Sequence, residues 1–301
     1  MAFTYKLSVR LAILRAAVLL IPFLGCVSDQ QPIDPAAPTT PSPAVASSDT
    51  LFAEGFESGT LAWDDNFTPQ AKTIVSAAAR SGGRGLRITY QNGGPAGTLT
   101  KFLGARDRVY VRAAVRPSAP WTGATGFLTL RGTTPANRWA SFGTGTVCPD
   151  GMIWALTGYV ANAPGPDLAF NTAYVGMRPF SGANCQRNAG LASTGGTASY
   201  GTPRTLTAGV WHVVEFEAQV NTIGLADGWQ RLWLDGQLAG EWTGLVFRAR
   251  SDLQWNGVTL ELWSTGMTQT QTLDVDEVLV LNQRPDGTAP VPPPPPPPPP
   301  P

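Results

Sequence analysis

Gly209 to Arg248 reads GVWHVVEFEAQVNTIGLADGWQRLWLDGQLAGEWTGLVFR. From Trp211 to Asn221 the side chains alternate. His212, Val214, Phe216, Ala218 and Val220 fall on one side, and Trp211, Val213, Glu215, Glu217, Gln219 and Asn221 on the other, the period of a β-strand with one buried face. A second strand, Gln230 to Leu234, runs into Asp235-Gly236, a pair that tolerates the positive φ angles of a two-residue hairpin turn. The chain then returns through Gln237 to Trp242.

Similar runs recur on either side of this block, at Leu86–Tyr90, Val109–Arg116, Gly126–Arg131, Ile153–Tyr159, Val258–Ser264 and Leu273–Leu281. Gly, Pro, Asn and Asp punctuate them. No helical period is sustained over three turns between residues 51 and 285. The expectation is an all-β chain with two packed antiparallel sheets.

The Gly209–Arg248 block resembles the concanavalin A-like jelly rolls of polysaccharide lyases and laminin G-like modules. The resemblance extends to Glu54–Gly59 with Trp63, to Ser81–Arg87, to Val109–Arg112 and to Leu273–Leu281. It implies a jelly-roll sandwich over residues 51–285. A glycan would then lie along the concave sheet, or a protein would be recognised as by laminin G-like adhesion modules.

The ends of the chain differ in character. Lys6, Arg10 and Arg15 precede a short apolar run, Ala16 to Leu24, as in an export signal and short of the ~20 residues of a membrane span. Phe23-Leu24-Gly25-Cys26 resembles a bacterial lipobox, which implies cleavage after residue 25 and a lipid on Cys26, with the outer membrane as destination and a periplasmic or cell-surface position. Residues 26–50 are rich in Pro, Ser, Thr and Ala, a composition that cannot bury enough surface to order itself, and read as a tether. Residues 286–301 end in an unbroken proline run from Pro292, expected as polyproline II.

Lys+Arg and Asp+Glu each total 21 and only 14% of residues are charged. Without a basic stripe, nucleic acid is not an expected partner. Ten Trp and six Tyr exceed what a core of this size needs and suit stacking on sugar rings. If Cys26 carries lipid, Cys148 and Cys185 remain as a pair in an oxidising compartment. A disulfide between them would staple the irregular Gly143–Thr207 region.

Polar strand faces are where chemistry is expected. Tyr110, Arg112 and Arg116 alternate with Val109, Val111, Ala113 and Val115. Glu215, Glu217 and Gln219 alternate with Val214 and Phe216, and Arg231 goes with Trp233 and Glu261 with Trp263. Placed side by side, Tyr110, Arg112, Glu217, Gln219, Arg231, Trp233, Glu261 and Trp263 would line a glycan groove. The plainer alternative is a solvated face of cross-strand Arg–Glu pairs.

For β-elimination on a uronate, the base would be Tyr110 or Tyr200. Arg112 would neutralise the carboxylate with help from Gln219, and the phenol would need a nearby cation to ionise. His212, the sole histidine, is a further candidate base, although on an apolar strand face it reads first as a packed structural residue. Glycoside hydrolysis ranks lower, because Glu215-Phe-Glu-Ala-Gln219 lacks the E-x-D-x-x-E pattern of concanavalin-like glucanases. No cofactor is expected. Glu54, Glu57 and Asp276 could supply oxygens to a structural Ca²⁺, but no loop has dedicated ligand spacing.

Overall fold

The computed structural model describes residues 49–142, 148–162, 167–175, 188–189, 197–202 and 204–285. Cys26, Cys185, the signal, the tether before Asp49 and the proline tail lie outside the described residues. Cys148 is disulfide-bonded.

The strands are β1 (Thr50–Glu54), β2 (Asp65–Phe67), β3 (Lys72–Val75), β4 (Gly85–Tyr90), β5 (Gly97–Arg106), β6 (Arg108–Pro117), β7 (Ala124–Thr133), β8 (Trp154–Asn162) and β9 (Asp167–Thr172). After them come β10 (Asn188–Ala189), β11 (Thr197–Tyr200), β12 (His212–Gln219), β13 (Gly228–Leu234), β14 (Gln237–Leu245), β15 (Gln254–Leu262), β16 (Ser264–Thr265) and β17 (Gln271–Leu281). The first sheet runs β11-β14-β13-β12-β6-β17-β4-β3, with β1 on β17. The second runs β10-β9-β8-β7-β15-β5-β2, with β16 on β7. All pairings between these strands are antiparallel. The result is the expected two-sheet jelly-roll sandwich.

The alternation read from sequence decides which side chains meet between the sheets. Val109, Val111, Ala113 and Val115 of β6 and Val214, Phe216 and Ala218 of β12 face Leu128 and Leu130 of β7 and Val258, Leu260 and Leu262 of β15 in one core. In β17 the phase slips. Val275 and Val278 both enter the core because a bulge at Asp276–Glu277, with Glu277 at φ 51°, inserts an extra residue. Polar ties also cross the core. Tyr90 Oη lies 2.8 Å from Thr125 Oγ1, and the fully buried Gln230 bonds Thr172 and Thr157, satisfying groups that would otherwise be costly to bury.

The hairpin at Asp235-Gly236 has φ of 51° and 79°, as its sequence requires. Glu54–Gly59, by contrast, is mostly turn: the first strand ends at Glu54, whose carboxylate accepts the amides of Phe56 and Ala62.

Candidate functional site

Six of the eight proposed groove residues do share one face. On the outer side of the first sheet, Glu217 of β12 stands between Tyr110 of β6 and Arg231 of β13, and Glu215 between Arg112 and Trp233. Gln219 continues the same row of β12. Around these six residues the face is closed, however, and ion pairs run on beyond them. Arg108 Nε donates to Glu217 at 2.8 Å, Arg231 Nε to Glu241 at 2.6 Å, and Arg87 and Arg116 both to Asp274. Arg112 approaches Glu277 at 3.5 Å.

The segment after β17 crosses over this lattice. Arg284 donates its amide to Glu217 (2.8 Å) and its Nε to Glu215 (2.7 Å), and lays its guanidinium 4.6 Å from the centre of the Trp233 ring. Trp233 is therefore only 6% exposed although it lies outside the inter-sheet core. The cross-strand ion-pair alternative describes this face.

The proposed bases do not assemble into a catalytic set. Tyr110 is buried and donates its hydroxyl to Glu215 Oε2 at 2.9 Å. Burial and then the adjacent carboxylate push its pKa well up, outweighing Arg112 and Arg284; this is the reverse of the cation activation expected from sequence. Tyr200 sits on β11 at the far edge of the sheet, accepts the Phe170 amide at 3.2 Å, and is also shifted up by burial. His212 is pinned at the start of β12. Thr207 N–H donates to Nε2 at 2.8 Å, and Nδ1 lies 2.8 Å from Asp235 Oδ2, so both ring nitrogens are engaged in holding the hairpin. Burial raises the Asp235 carboxyl pKa, but the His212 and Val213 hydrogen bonds outweigh it and the net shift is downward.

The carboxylates suggested for Ca²⁺ accept backbone amides instead: Glu54 as above, Glu57 from Gly83 and Arg84, and Asp276 from Arg80 and Ser81. Among the described residues no cluster of three or more His, Cys, Asp or Glu is placed to hold a metal ion.

Glu261 and Trp263 lie on the other sheet, which corrects the single groove read from sequence. The reason is strand order: β15 pairs with β5 and β7 and never meets β12. On the outer side of this second sheet, register sets Phe67, Thr98 and Glu261 in one row and Asp65, Thr100, Thr259 and Thr129 in the next. Arg131 follows two residues along β7. Its Nε donates to Thr259 Oγ1 (3.1 Å), Nη1 to the Ser141 carbonyl (2.6 Å) and Nη2 to Glu261 Oε1 (3.0 Å). Glu261 Oε2 accepts from Thr129 (3.1 Å).

Aromatic rings flank this floor. Trp263, half-buried, lies over Gly126, where a Cβ would come within 2.6 Å of the indole Nε1. At the other end the segment after β7 folds back. Phe142 covers the Arg131 guanidinium at 3.9 Å, and Trp139, 42% exposed, stands edge-on to Phe102 at 4.9 Å with Arg138 stacked over Phe102. Asp64 anchors this end by accepting the Phe102 amide and pairing with Lys101.

Sequence reading did not single out Thr129, Arg131, Phe102 or Trp139. The alternation Leu128-Thr129-Leu130-Arg131 could have exposed the first two. Trp139 sits in an irregular segment with no period to read.

No protein-family model matches the chain, and no curated protein sequence matches it. Solved structures do. A PL-14 alginate lyase from Aplysia kurodai is similar with a TM-score of 0.57 at 12% identity, over 77% of this chain and 98% of that one. An endo-β-1,4-glucuronan lyase from Trichoderma reesei gives 0.50 at 19% identity over 77% and 95%. The alginate lyase vAL-1 from a Chlorella virus gives 0.51 at 9% identity over 70% and 93%. At these identities the likeness is one of fold: the chain folds as a concanavalin A-like jelly roll.

Proposed function

We propose that this protein binds polysaccharide along the outer face of its second sheet. One observation carries the reading: aromatic rings with open surface, 42% exposed Trp139 with Phe102 and Arg138 at one end and half-buried Trp263 beside Glu261 at the other, flank a sheet surface whose Thr100, Thr129, Thr259 and Arg131 side chains are themselves buried. Rings take the C–H faces of sugars, while the exposed Arg138 guanidinium pairs with their carboxylates. The fold shared with alginate and glucuronan lyases supports a glycan of that acidic kind. Binding without turnover is preferred, because Tyr110, Tyr200 and His212 are each committed to structural hydrogen bonds.

The test is affinity of the full chain for immobilised alginate and glucuronan. Trp139→Ala and Trp263→Ala are expected to weaken binding by about 1–3 kcal/mol each. Unchanged affinity in both variants overturns the reading. The second reading, an active lyase, is favoured by those same structural relatives. It predicts growing ultraviolet absorbance from unsaturated product on incubation with these glycans; a flat trace removes it.

The chain is further proposed to be exported and anchored through lipid on Cys26, with Cys148 bridged to Cys185. Cys26→Ser should move the protein out of the membrane fraction, and a reduced Cys185 would contradict the bridge.

A further inference from the structure

A cleft of about 240 Å³ opens on the outer side of the first sheet, away from the second-sheet face. It is lined by Arg87, Arg116, Ser118, Thr272 and Asp274, with Gly209 at its rim. Its charge is unbalanced. Two guanidiniums, with side chains 32% and 28% exposed, share one carboxylate that is 4% exposed, so the cleft is formally cationic by one unit. Arg87 reaches Asp274 through Nε and Nη2, and Arg116 also through Nε and Nη2. Each therefore keeps its Nη1 without a hydrogen bond among the described residues.

The shared carboxylate is unevenly used as well. Asp274 Oδ2 accepts from Arg87 Nη2, Arg116 Nε and Arg116 Nη2, whereas Oδ1 accepts only from Arg87 Nε. A bare anion would meet this carboxylate as a like charge. A ligand that also carries hydroxyls would donate one to Oδ1. Trp211, stacked 4.8 Å from the Arg116 guanidinium, adds an aromatic surface beside the cation. The volume lies below the roughly 300–1,000 Å³ of drug-sized sites and suits one sugar unit.

The geometry points to a binding site for a single carboxylate-bearing sugar, a uronate, on the sheet opposite the proposed polysaccharide face. Its carboxylate meets the two free Nη1 groups, a ring hydroxyl donates to Asp274 Oδ1, and the C–H face lies along Trp211. This site is independent of the second-sheet reading, since none of its residues belongs to that face.

Titrating the full chain with glucuronate, glucose and inorganic sulfate, followed by calorimetry and by the Trp211 indole N–H resonance, tests it. The resonance is assigned by its loss in Trp211→Phe. Saturable glucuronate binding is expected, at least about tenfold tighter than glucose or sulfate. Arg116→Gln should weaken it at least about tenfold while Trp139→Ala leaves it unchanged. Asp274 keeps both bonds to Arg87 in Arg116→Gln, and if that variant fails to fold, the Trp211 shift in the native chain decides. No saturable glucuronate binding, sulfate binding as tightly as glucuronate, or full affinity in a folded Arg116→Gln each overturns the proposal. Loss of polymer binding in Trp139→Ala with glucuronate binding intact separates the two sites.

Discussion

Replacing Arg284 by Ala asks whether the outer face of the first sheet is a structural lattice or a covered sugar groove. Arg284 makes a 2.7 Å charged hydrogen bond to Glu215, whose side chain is 9% exposed, and covers the Trp233 ring at 4.6 Å. A hydrogen bond to a charged group is worth about 1.5–3 kcal/mol and a partly desolvated cation–π contact about 0.5–2 kcal/mol. Its loss leaves Glu215 with the Tyr110 hydroxyl and no cation from Arg284.

Arg284→Ala should therefore cost about 2–4 kcal/mol, a drop of about 5–15 °C in midpoint for a domain of this size. The Glu215→Gln change made in the Arg284→Ala background should then cost less than in the native chain, by about 1–3 kcal/mol of coupling. Thermal and urea unfolding measure both effects. Affinity for immobilised glycan should stay as in the native chain. A destabilisation under about 0.5 kcal/mol, no coupling to Glu215, or a gain of glycan affinity on uncovering Trp233 would refute the lattice.

Asn221, fully buried, accepts the amides of Phe247 (2.8 Å) and Arg248 (2.9 Å) and donates to the carbonyls of Thr222 and Arg248. Asn221→Leu should cost about 3–5 kcal/mol by orphaning those groups, read as a lower urea midpoint at constant slope. Gly126→Ala should destabilise by about 1–3 kcal/mol and lower glycan affinity. Its Cβ would fall 2.0 Å from the Glu261 carbonyl and 2.6 Å from the Trp263 indole.

Lys72 donates to the carbonyls of Phe67, Thr68 and Ala96, yet burial, only partly offset by Asp65, pushes its pKa from 10.5 down to about 8. Between those values the unfolded chain binds more protons than the folded one. Stability should therefore gain a rising contribution with pH across that window. Lys72→Met should remove that contribution in urea titrations, and an identical pH profile for both proteins would contradict it.

The sheet order explains why a sequence-level groove divided in two. Tyr110, Arg112, Glu217, Gln219, Arg231 and Trp233 could be grouped because β6, β12 and β13 are neighbours and each shows a clean period of two. Glu261 on β15 and Trp263 just after it show the same period, but periodicity reports which face a residue takes within its strand and not which sheet the strand joins. β5 escaped the reading because Gly97 and Lys101 interrupt the apolar row of Leu99 and Leu103. The slip in β17 was hidden because Asp276 and Glu277 look like ordinary outward residues, until the positive φ of Glu277 turns the chain.

The amino-acid order by itself determined the all-β class, the Asp235-Gly236 hairpin and the inward rows of β6 and β12, since these follow from alternation and turn chemistry between near neighbours. Only the tertiary structure decided that Arg284 closes one polar face, that Tyr110 donates to Glu215, and that Arg131 and Trp139 join Glu261 and Trp263 on the other. Those contacts link residues far apart in the chain. They are set by how the two sheets pair and by where an irregular segment folds back, and no local pattern encodes either.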